Sequence, residues 1–257
     1  MKSIQWISLW TFILAFGAGG FSQARVFSVK DERLAAYLRA AYVPTSFDNT
    51  LISGSHGTGS TLDVRTPYNL GAELGFVYSV GRLSYRFGLE FIRLPDKKDQ
   101  GGVDAAGTAL YSVSTEASAV APKLGVDINL KSWNVSKFYA GVAVGYASLV
   151  ALNSYTMTAA GTAQYPGVTD FSEDLRSGAP LYEALLGFET LFNDSTTIAI
   201  EAVYRNLKFT DAKFNKDVKN FKGNFVKGDA ALNDDGSPRA LTLNQFYIGV
   251  NGRFWLY

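Results

Sequence analysis

Residues 67–95, PYNLGAELGFVYSVGRLSYRFGLEFIRLP, decide the fold of this chain. They contain two runs in which large apolar side chains alternate with mostly glycine, polar or charged residues, joined by Gly81 and Arg82. A period of two residues predicts a β-strand, and a two-residue link that opens with glycine is typical of a type II′ hairpin turn. We therefore predict a β-hairpin with one continuously apolar and aromatic face.

The two faces of this hairpin are reversed relative to those of a soluble protein. A soluble eight-stranded barrel, which is the alternative, buries its apolar face and exposes its charges. A strand of a membrane β-barrel does the opposite, because lipid surrounds its outer face and a polar interior lies within. Here the small and charged residues share one face, and the other face has almost no charge. The pattern favours a membrane barrel.

Composition argues against several classes of function. The formal charge of the 257 residues is +1, so no strong field attracts nucleic acid. Cysteine is absent, which excludes disulfides, thiol catalysis and thiolate metal sites. The run of Asn233, Asp234, Asp235 and Gly236 is typical of a turn and lacks the remaining ligands of a calcium loop. We predict no metal, no cofactor and no nucleic-acid partner.

The first 24 residues have the pattern of an export signal. Lys2 is followed by an apolar run over residues 4–16, and Ser22 and Ala24 are small residues suited to a cleavage site. An uncleaved membrane helix, the alternative, needs about 20 apolar residues, and glycines after residue 16 end this run. We predict a cleaved signal peptide at residues 1–24 and a barrel domain at residues 25–257.

Two-residue alternation recurs along the chain and predicts eight strands. The links between them alternate between long and short, which is typical of an up-and-down membrane barrel with long extracellular loops and short periplasmic turns. A weaker alternation over residues 110–118 predicts that the fourth strand extends beyond the membrane. The predicted strands cover residues 33–43, 68–80, 83–91, 120–130, 138–146, 181–192, 196–205 and 241–256, and the predicted long connections cover residues 44–66, 95–108, 153–180 and 210–240.

The inward face of the predicted barrel carries many charges. If Gly81 and Arg82 form a two-residue turn, Glu73 lies directly opposite Glu90, and this unfavourable pair needs cations from other strands. Because eight strands enclose an interior just wide enough for side chains to fill, we expect an ion-pair network that plugs the barrel; a selectivity filter or proton path is the alternative. The predicted members are Arg39, Glu73, Arg86, Glu90, Lys123, Asp127, Glu183, Glu189, Glu201, Arg205 and Arg253.

The last long connection interleaves phenylalanines with lysines. Phe214, Phe221 and Phe225 fall at helical spacing, so the segment fits a short amphipathic helix or an extended hairpin. One hypothesis is contact with anionic lipopolysaccharide, and the alternative is loop packing with solvated lysines. The candidate cations are Lys213, Lys216, Lys219 and Lys222, with Arg93 at the outer rim.

The only histidine of the chain, His56, lies in GSHGTGS. Ser53, Ser55 and Asp63 supply nearby the residue types that a lipid-modifying barrel enzyme uses. A lone histidine in a Gly/Ser loop is poorly preorganised for base catalysis. We therefore predict no catalytic residue.

Strands such as FYAGVAVGYA and the terminal NQFYIGVNGRFWLY carry a family resemblance. The chain resembles the small eight-stranded outer-membrane proteins of the OmpA-domain, OmpX and OmpW type. The resemblance implies an all-β, eight-stranded antiparallel up-and-down transmembrane β-barrel in a Gram-negative outer membrane. One departure is that Trp255 and Tyr257 share the inward parity of Arg253. Either Tyr257 lies past the strand, or a bulge shifts the phase.

These patterns lead to an expected function. We expect a non-enzymatic, monomeric outer-membrane barrel that is exported through the periplasm, contacts membrane lipid and lipopolysaccharide, stabilises the envelope and presents its long loops to an extracellular ligand. A narrow pore or conduit for small or hydrophobic solutes is the alternative that the OmpW resemblance allows. A lipid-modifying enzyme is a third reading and would require His56.

Overall fold

The computed structural model describes residues 33–47, 66–233 and 236–256. The proposed signal peptide and the group around His56, with Ser53, Ser55 and Asp63, lie outside these residues, as does Tyr257. The strands and the helix, in chain order, are β1 Leu34–Phe47, β2 Thr66–Val80, β3 Leu83–Arg93, β4 Lys97–Val103, β5 Ala109–Ser132, β6 Ser136–Met157, α1 Ala159–Gln164, β7 Phe171–Asn193, β8 Thr196–Phe209, β9 Lys213–Phe214, β10 Val218–Asn220, β11 Gly223–Phe225, β12 Leu241–Thr242 and β13 Gln245–Leu256.

Eight of these strands close into a ring. Their order is β1, β2, β3, β5, β6, β7, β8 and β13, and β13 pairs back with β1. Every neighbouring pair is antiparallel. The short turns lie at the end where Leu34 pairs with Leu256, and the long connections lie at the opposite end. The predicted eight-stranded up-and-down barrel is therefore confirmed.

The hairpin of β2 and β3 has the predicted register. Val80 pairs with Leu83 across the turn, and Glu73 lies opposite Glu90. Gly81 has φ of +61°, as the first position of a type II′ turn requires. The turn alone therefore determines which residues of the two strands face each other.

Exposure follows the predicted reversal of faces. Along β2, Leu74 and Phe76 are 50% and 53% exposed, whereas Glu73, which precedes Leu74, is 4% exposed. The same alternation holds around the ring, and Phe246 on β13 reaches 80% exposure. A belt of exposed apolar side chains around a charged interior is the arrangement of a membrane-spanning barrel. Among the described residues, no helix is long and apolar enough to cross a membrane.

Three strands continue well past the apolar belt. β5, β6 and β7 have 24, 22 and 23 residues, whereas a membrane crossing takes about 9–11. The predicted extension of the fourth strand is confirmed. The prediction of a polar connection over residues 153–180 is wrong, because β6 runs to Met157 and β7 begins at Phe171. In water the outer face of a strand is polar, which conceals the strand from a search for apolar alternation.

The other connections also contain strands. Within residues 95–108, β4 pairs with β5. Within residues 210–240, β10 and β11 form a short hairpin, so of the two predicted conformations the hairpin is observed. β12 and β13 share one register with β8, and β13 pairs with β1 without a bulge as far as Leu256. Trp255 accordingly faces inward and is 3% exposed.

Glycines on the inner face provide space for large side chains of neighbouring strands. A methyl group added at Gly187 would overlap the Tyr139 ring, and one added at Gly141 would overlap the Asp127 carboxylate. At Gly88 it would overlap both Tyr37 and Glu73. Since the interior of an eight-stranded barrel has little spare width, each large inward side chain needs a small one beside it.

We expect Gly187→Ala to destabilise the barrel by about 1–3 kcal/mol, because the added methyl group overpacks the interior against Tyr139. Gly252→Ala is the matched control, since a methyl group there would meet no atom within 4 Å. The measurement is urea unfolding of each variant refolded in detergent. Equal stability of the two variants would contradict this account of the inner glycines.

Candidate functional site

The barrel interior holds the densest group of charges among the described residues. The structure places every charge of the predicted lumen set there, together with Lys137, and each is 4% exposed or less. Six cations face six anions, so the group is formally neutral. The cations are Arg39, Arg86, Lys123, Lys137, Arg205 and Arg253, and the anions are Glu73, Glu90, Asp127, Glu183, Glu189 and Glu201.

Lys123 lies at the centre of the carboxylates that the hairpin brings together. Its Nζ is 2.8 Å from Glu73, 3.0 Å from Glu90 and 2.8 Å from Glu183. Arg205 binds the other oxygen of Glu90 at 2.9 Å. Arg39 lies between Glu73 and Glu183, with its Nη2 2.5 Å and 3.1 Å from their respective Oε2 atoms. The like-charge pair of Glu73 and Glu90 is thus bridged by one lysine and flanked by arginines.

Glu201 is a second centre of the network. Guanidinium nitrogens of Arg39, Arg86 and Arg253 lie 3.3, 3.4 and 3.5 Å from its carboxylate. The Tyr139 hydroxyl and the Asn251 side-chain amide donate hydrogen bonds to it at 2.6 and 3.0 Å. A carboxylate shared by three arginines and two neutral donors links residues from five strands.

The network continues toward the short-turn end. Glu189 binds Arg253 at 2.8 Å and Lys137 at 3.3 Å, and the Thr197 hydroxyl donates to it at 2.5 Å. Trp255 donates from Nε1 to the Thr197 hydroxyl at 3.0 Å. Lys137 was not predicted because residues 131–137, between the predicted strands 120–130 and 138–146, were interpreted as a short turn. Its inward parity with Tyr139 was the available signal.

Neutral side chains complete the hydrogen bonding of the charges. Tyr37 donates to Glu73, and Tyr247 donates to Glu183 at 3.0 Å. Arg205 donates to Asn69 and Gln245 at 3.1 and 2.8 Å. These residues were not predicted as site members, because their polarity is too ordinary to distinguish them from other strand residues.

Asp127 is held more loosely than the other acids. Its Oδ1 lies 3.3 Å from Nε of Arg86, and its Oδ2 lies 3.8 Å from Nη2 of Arg253. Neither oxygen makes a hydrogen bond of acceptable geometry with a described residue. The contribution of Asp127 to the network is therefore mainly its charge.

An apolar layer closes the barrel beyond the charges. Ile92, Leu181 and Leu207 each lie two residues nearer the long-connection end than Glu90, Glu183 and Arg205 respectively. All three belong to one buried cluster and are 1% exposed or less. The cluster also contains Leu149, Leu175, Phe209, Phe214, Leu241 and Leu243. Charged and apolar layers thus succeed one another along the barrel axis.

A smaller polar cluster lies farther out, between the extended strands and the last connection. Arg239 binds Glu173 at 2.5 Å, with both side chains 1% exposed. Asn220 donates to the same carboxylate at 2.9 Å. Burial raises the pKa of the adjacent Tyr155 hydroxyl well above its ordinary value, and the negative charge of Glu173 raises this pKa further. Glu173 and Arg239 were not predicted, because both lay in segments assigned as connections.

Aromatic side chains cover this polar cluster. Phe221 lies between Tyr111, Tyr155, Tyr165 and Phe171, with ring centroids 4.8–5.6 Å apart. Phe214 and Phe225 pack on each other at 5.0 Å. The phenylalanines of the last connection therefore face the sheet rather than a membrane or a partner.

The candidate surface cations point outward. Lys213, Lys216, Lys219 and Lys222 are exposed. Lys216 lies 3.6 Å from Asp174, and Arg93 forms a two-pronged contact with Asp96 at 3.0 Å. The contact of these cations with an anionic surface remains a prediction. In the described part of the chain, no group of three or more His, Cys, Asp or Glu residues could hold a metal ion.

We expect Glu201→Gln to cost about 3–5 kcal/mol of stability, because three arginines lose the charge they share. The matched control is Glu116→Gln, since Glu116 is exposed on the outer face of β5, where a charge contributes little. Chemical unfolding of both variants in the same detergent measures the difference. A loss below about 1 kcal/mol in Glu201→Gln would show that the network does not hold the barrel together.

Comparison with known proteins gives structural likeness alone. No protein-family model and no curated protein sequence matches the chain. Among solved structures, the outer membrane protein OprG from Pseudomonas aeruginosa is 15% identical, with 90% of this chain and 98% of that chain covered, at a TM-score of 0.39. A major outer membrane protein from Thermus thermophilus is 14% identical, with 86% and 99% covered, at a TM-score of 0.42.

The outer membrane protease OmpT from Escherichia coli is 8% identical, with 90% and 97% covered, at a TM-score of 0.33. The similar structures thus include an enzyme. Because these TM-scores and identities are low, the barrel assignment rests on the hydrogen-bonded ring of this chain.

Proposed function

We propose that this protein is a non-enzymatic outer-membrane barrel that does not conduct ions and that supports a folded extracellular extension. The observation that carries the proposal is the filled interior. A neutral network of charges is followed by a layer of leucine, isoleucine and phenylalanine side chains. Ions crossing the barrel would have to displace both layers, and each is bonded or packed across several strands.

The exposed apolar belt supports the location in a membrane. On β13, Phe246, Ile248 and Val250 are 80%, 66% and 54% exposed. Burying such side chains in lipid contributes about 25 cal/mol per Å² of apolar surface. A closed ring without a free edge in the belt also needs no partner strand, so we propose a monomer exported through the periplasm.

The extension supports the role of presenting structure to the surroundings. β5, β6 and β7 rise beyond the belt, and the last connection folds against them through Arg239, Glu173 and the aromatic cluster around Phe221. The extension thus has a small hydrophobic core of its own. We propose that it, rather than the barrel interior, meets extracellular ligands and stabilises the envelope surface.

A conduit for solutes has less support. Such a protein needs an unfilled upper interior or a lateral gap between strands. In the described residues, the upper interior contains the buried cluster around Leu149 and Phe209. β3 and β5 pair without interruption from Leu83 to Arg93.

Single-channel recording tests the closed interior. We expect the refolded protein to give no discrete current steps in a planar bilayer, because both layers block the axis. A porin refolded by the same procedure is the positive control, and heat-dependent mobility on gels shows that the barrel has folded. Steps whose ion selectivity changes in Glu73→Gln would establish a filter and refute the proposal.

Limited proteolysis tests the folded extension. We expect Arg239→Gln to increase trypsin cleavage at Lys219, Lys222 and Lys227 by about tenfold or more, because the buried ion pair that joins the last connection to β7 is lost. Lys216→Gln is the control, since its ion pair is exposed and contributes little. The barrel should remain folded in both variants. Equal cleavage of the two would contradict the anchoring role of Arg239.

A further inference from the structure

One row of residues crosses the outer face of the barrel at the upper edge of the apolar belt. Arg93, Ser118, Val150, Arg176 and Lys213 are successive cross-strand partners on β3, β5, β6, β7 and β9. All five side chains are exposed. Strand pairing places these five residues in one row, and three of them are cations.

Two of these cations lie side by side. Arg176 and Lys213 are direct partners, so their Cβ atoms are about 4.5–5.5 Å apart. Neither makes an ion pair with any described residue. Of the acids close to the pair along the chain, Asp174 is bound by Asn215 at 3.0 Å and Lys216 at 3.6 Å, and Asp211 accepts a hydrogen bond from Ser177 at 3.0 Å. Like charges in direct opposition are unfavourable, and an anion bound between them would remove the repulsion.

The position of the pair relative to the apolar belt indicates the source of that anion. Toward the short-turn end, the next outward residue on β5 is Val120, and on β6 Ser148 and then Tyr146 follow; Val120 and Tyr146 belong to the apolar belt. Toward the other end, the next row contains Glu116 and Asp174. Arg176 and Lys213 therefore lie at the boundary between hydrocarbon and water, where lipid phosphates are found.

A groove on the lipid-facing wall lies below this position. It has a volume of about 750 Å³ and crosses β2, β3, β5 and β6 between rows of bulky side chains. Its floor is backbone, because Gly75, Gly88 and Gly145 face the barrel interior and present no side chain outward. Tyr146 lines the groove, and its ring lies against Gly178, two residues from Arg176. The groove is apolar, and its upper end approaches the cation pair. An anionic lipid has a matching arrangement, with an apolar acyl chain below a phosphate.

We propose that Arg176 and Lys213 bind the phosphate of an anionic outer-leaflet lipid, with an acyl chain of that lipid in the groove floored by Gly75, Gly88 and Gly145. The inference rests on the proposed membrane location. It differs from general attraction to the lysine-rich last connection, because it assigns the contact to two residues on paired strands.

Native mass spectrometry of the full refolded chain in detergent tests the site. The probes are lipid A, monophosphoryl lipid A, phosphatidylglycerol, phosphatidylcholine and inorganic phosphate. We expect the Arg176→Gln, Lys213→Gln double variant to bind the anionic lipids at least about tenfold more weakly, because each charge-assisted hydrogen bond contributes at that level. The matched control is Lys219→Gln, Lys227→Gln, which removes the same charge from exposed positions outside the row.

Weaker binding of the anionic lipids alone, seen in the Arg176→Gln, Lys213→Gln variant and not in the control variant, supports the site. An equal loss in both double variants overturns it in favour of unspecific attraction, and equal binding of phosphatidylcholine overturns the role of phosphate. Displacement of the lipid by an equal concentration of inorganic phosphate would make the pair a free-phosphate site.

Insertion of the wild type into phosphatidylcholine vesicles is measured separately. Its failure would overturn the membrane location itself, whereas unchanged lipid binding by an inserted variant would overturn only this site.

Discussion

Charge balance inside a narrow barrel is the constraint on which the rest of the structure depends. The hairpin turn brings Glu73 and Glu90 face to face, and burial makes an unbalanced pair of this kind costly. Lys123, Arg39 and Arg205 supply the balancing charge from three other strands. The eight strands must therefore close in one register, because a slip by one residue would turn the charges of a strand toward lipid.

The interior glycines make room for the large polar and charged side chains of the barrel interior. Long arginine, lysine and glutamate side chains fill the interior only where a neighbouring strand has no side chain, as Gly187 does beside Tyr139 and Gly141 beside Asp127. The groove near Tyr146 lies on the opposite, lipid-facing side of the wall, where inward-facing positions such as Gly88 and Gly145 present only backbone.

The extension shows how a barrel can continue into water. Beyond the belt the outward residues of β5, β6 and β7 become polar, while the inward residues remain buried under the last connection. The pair of Arg239 and Glu173 anchors that connection, and the rings around Phe221 exclude water from it. The described part of the extension therefore has a packed core of its own.

The sequence by itself determined the strand pattern, the hairpin register and the side of each strand on which charges lie, because a period of two and a two-residue turn are local properties. It did not show that β6 and β7 continue through residues 153–157 and 171–180, since outside lipid both faces of a strand can be polar. Only the tertiary structure decided which carboxylate meets which cation, as in the contacts of Lys123 and Glu201. Those contacts join residues distant along the chain, and their geometry depends on the closure of the ring. The row from Arg93 to Lys213 likewise became visible only when separate strands were placed in register.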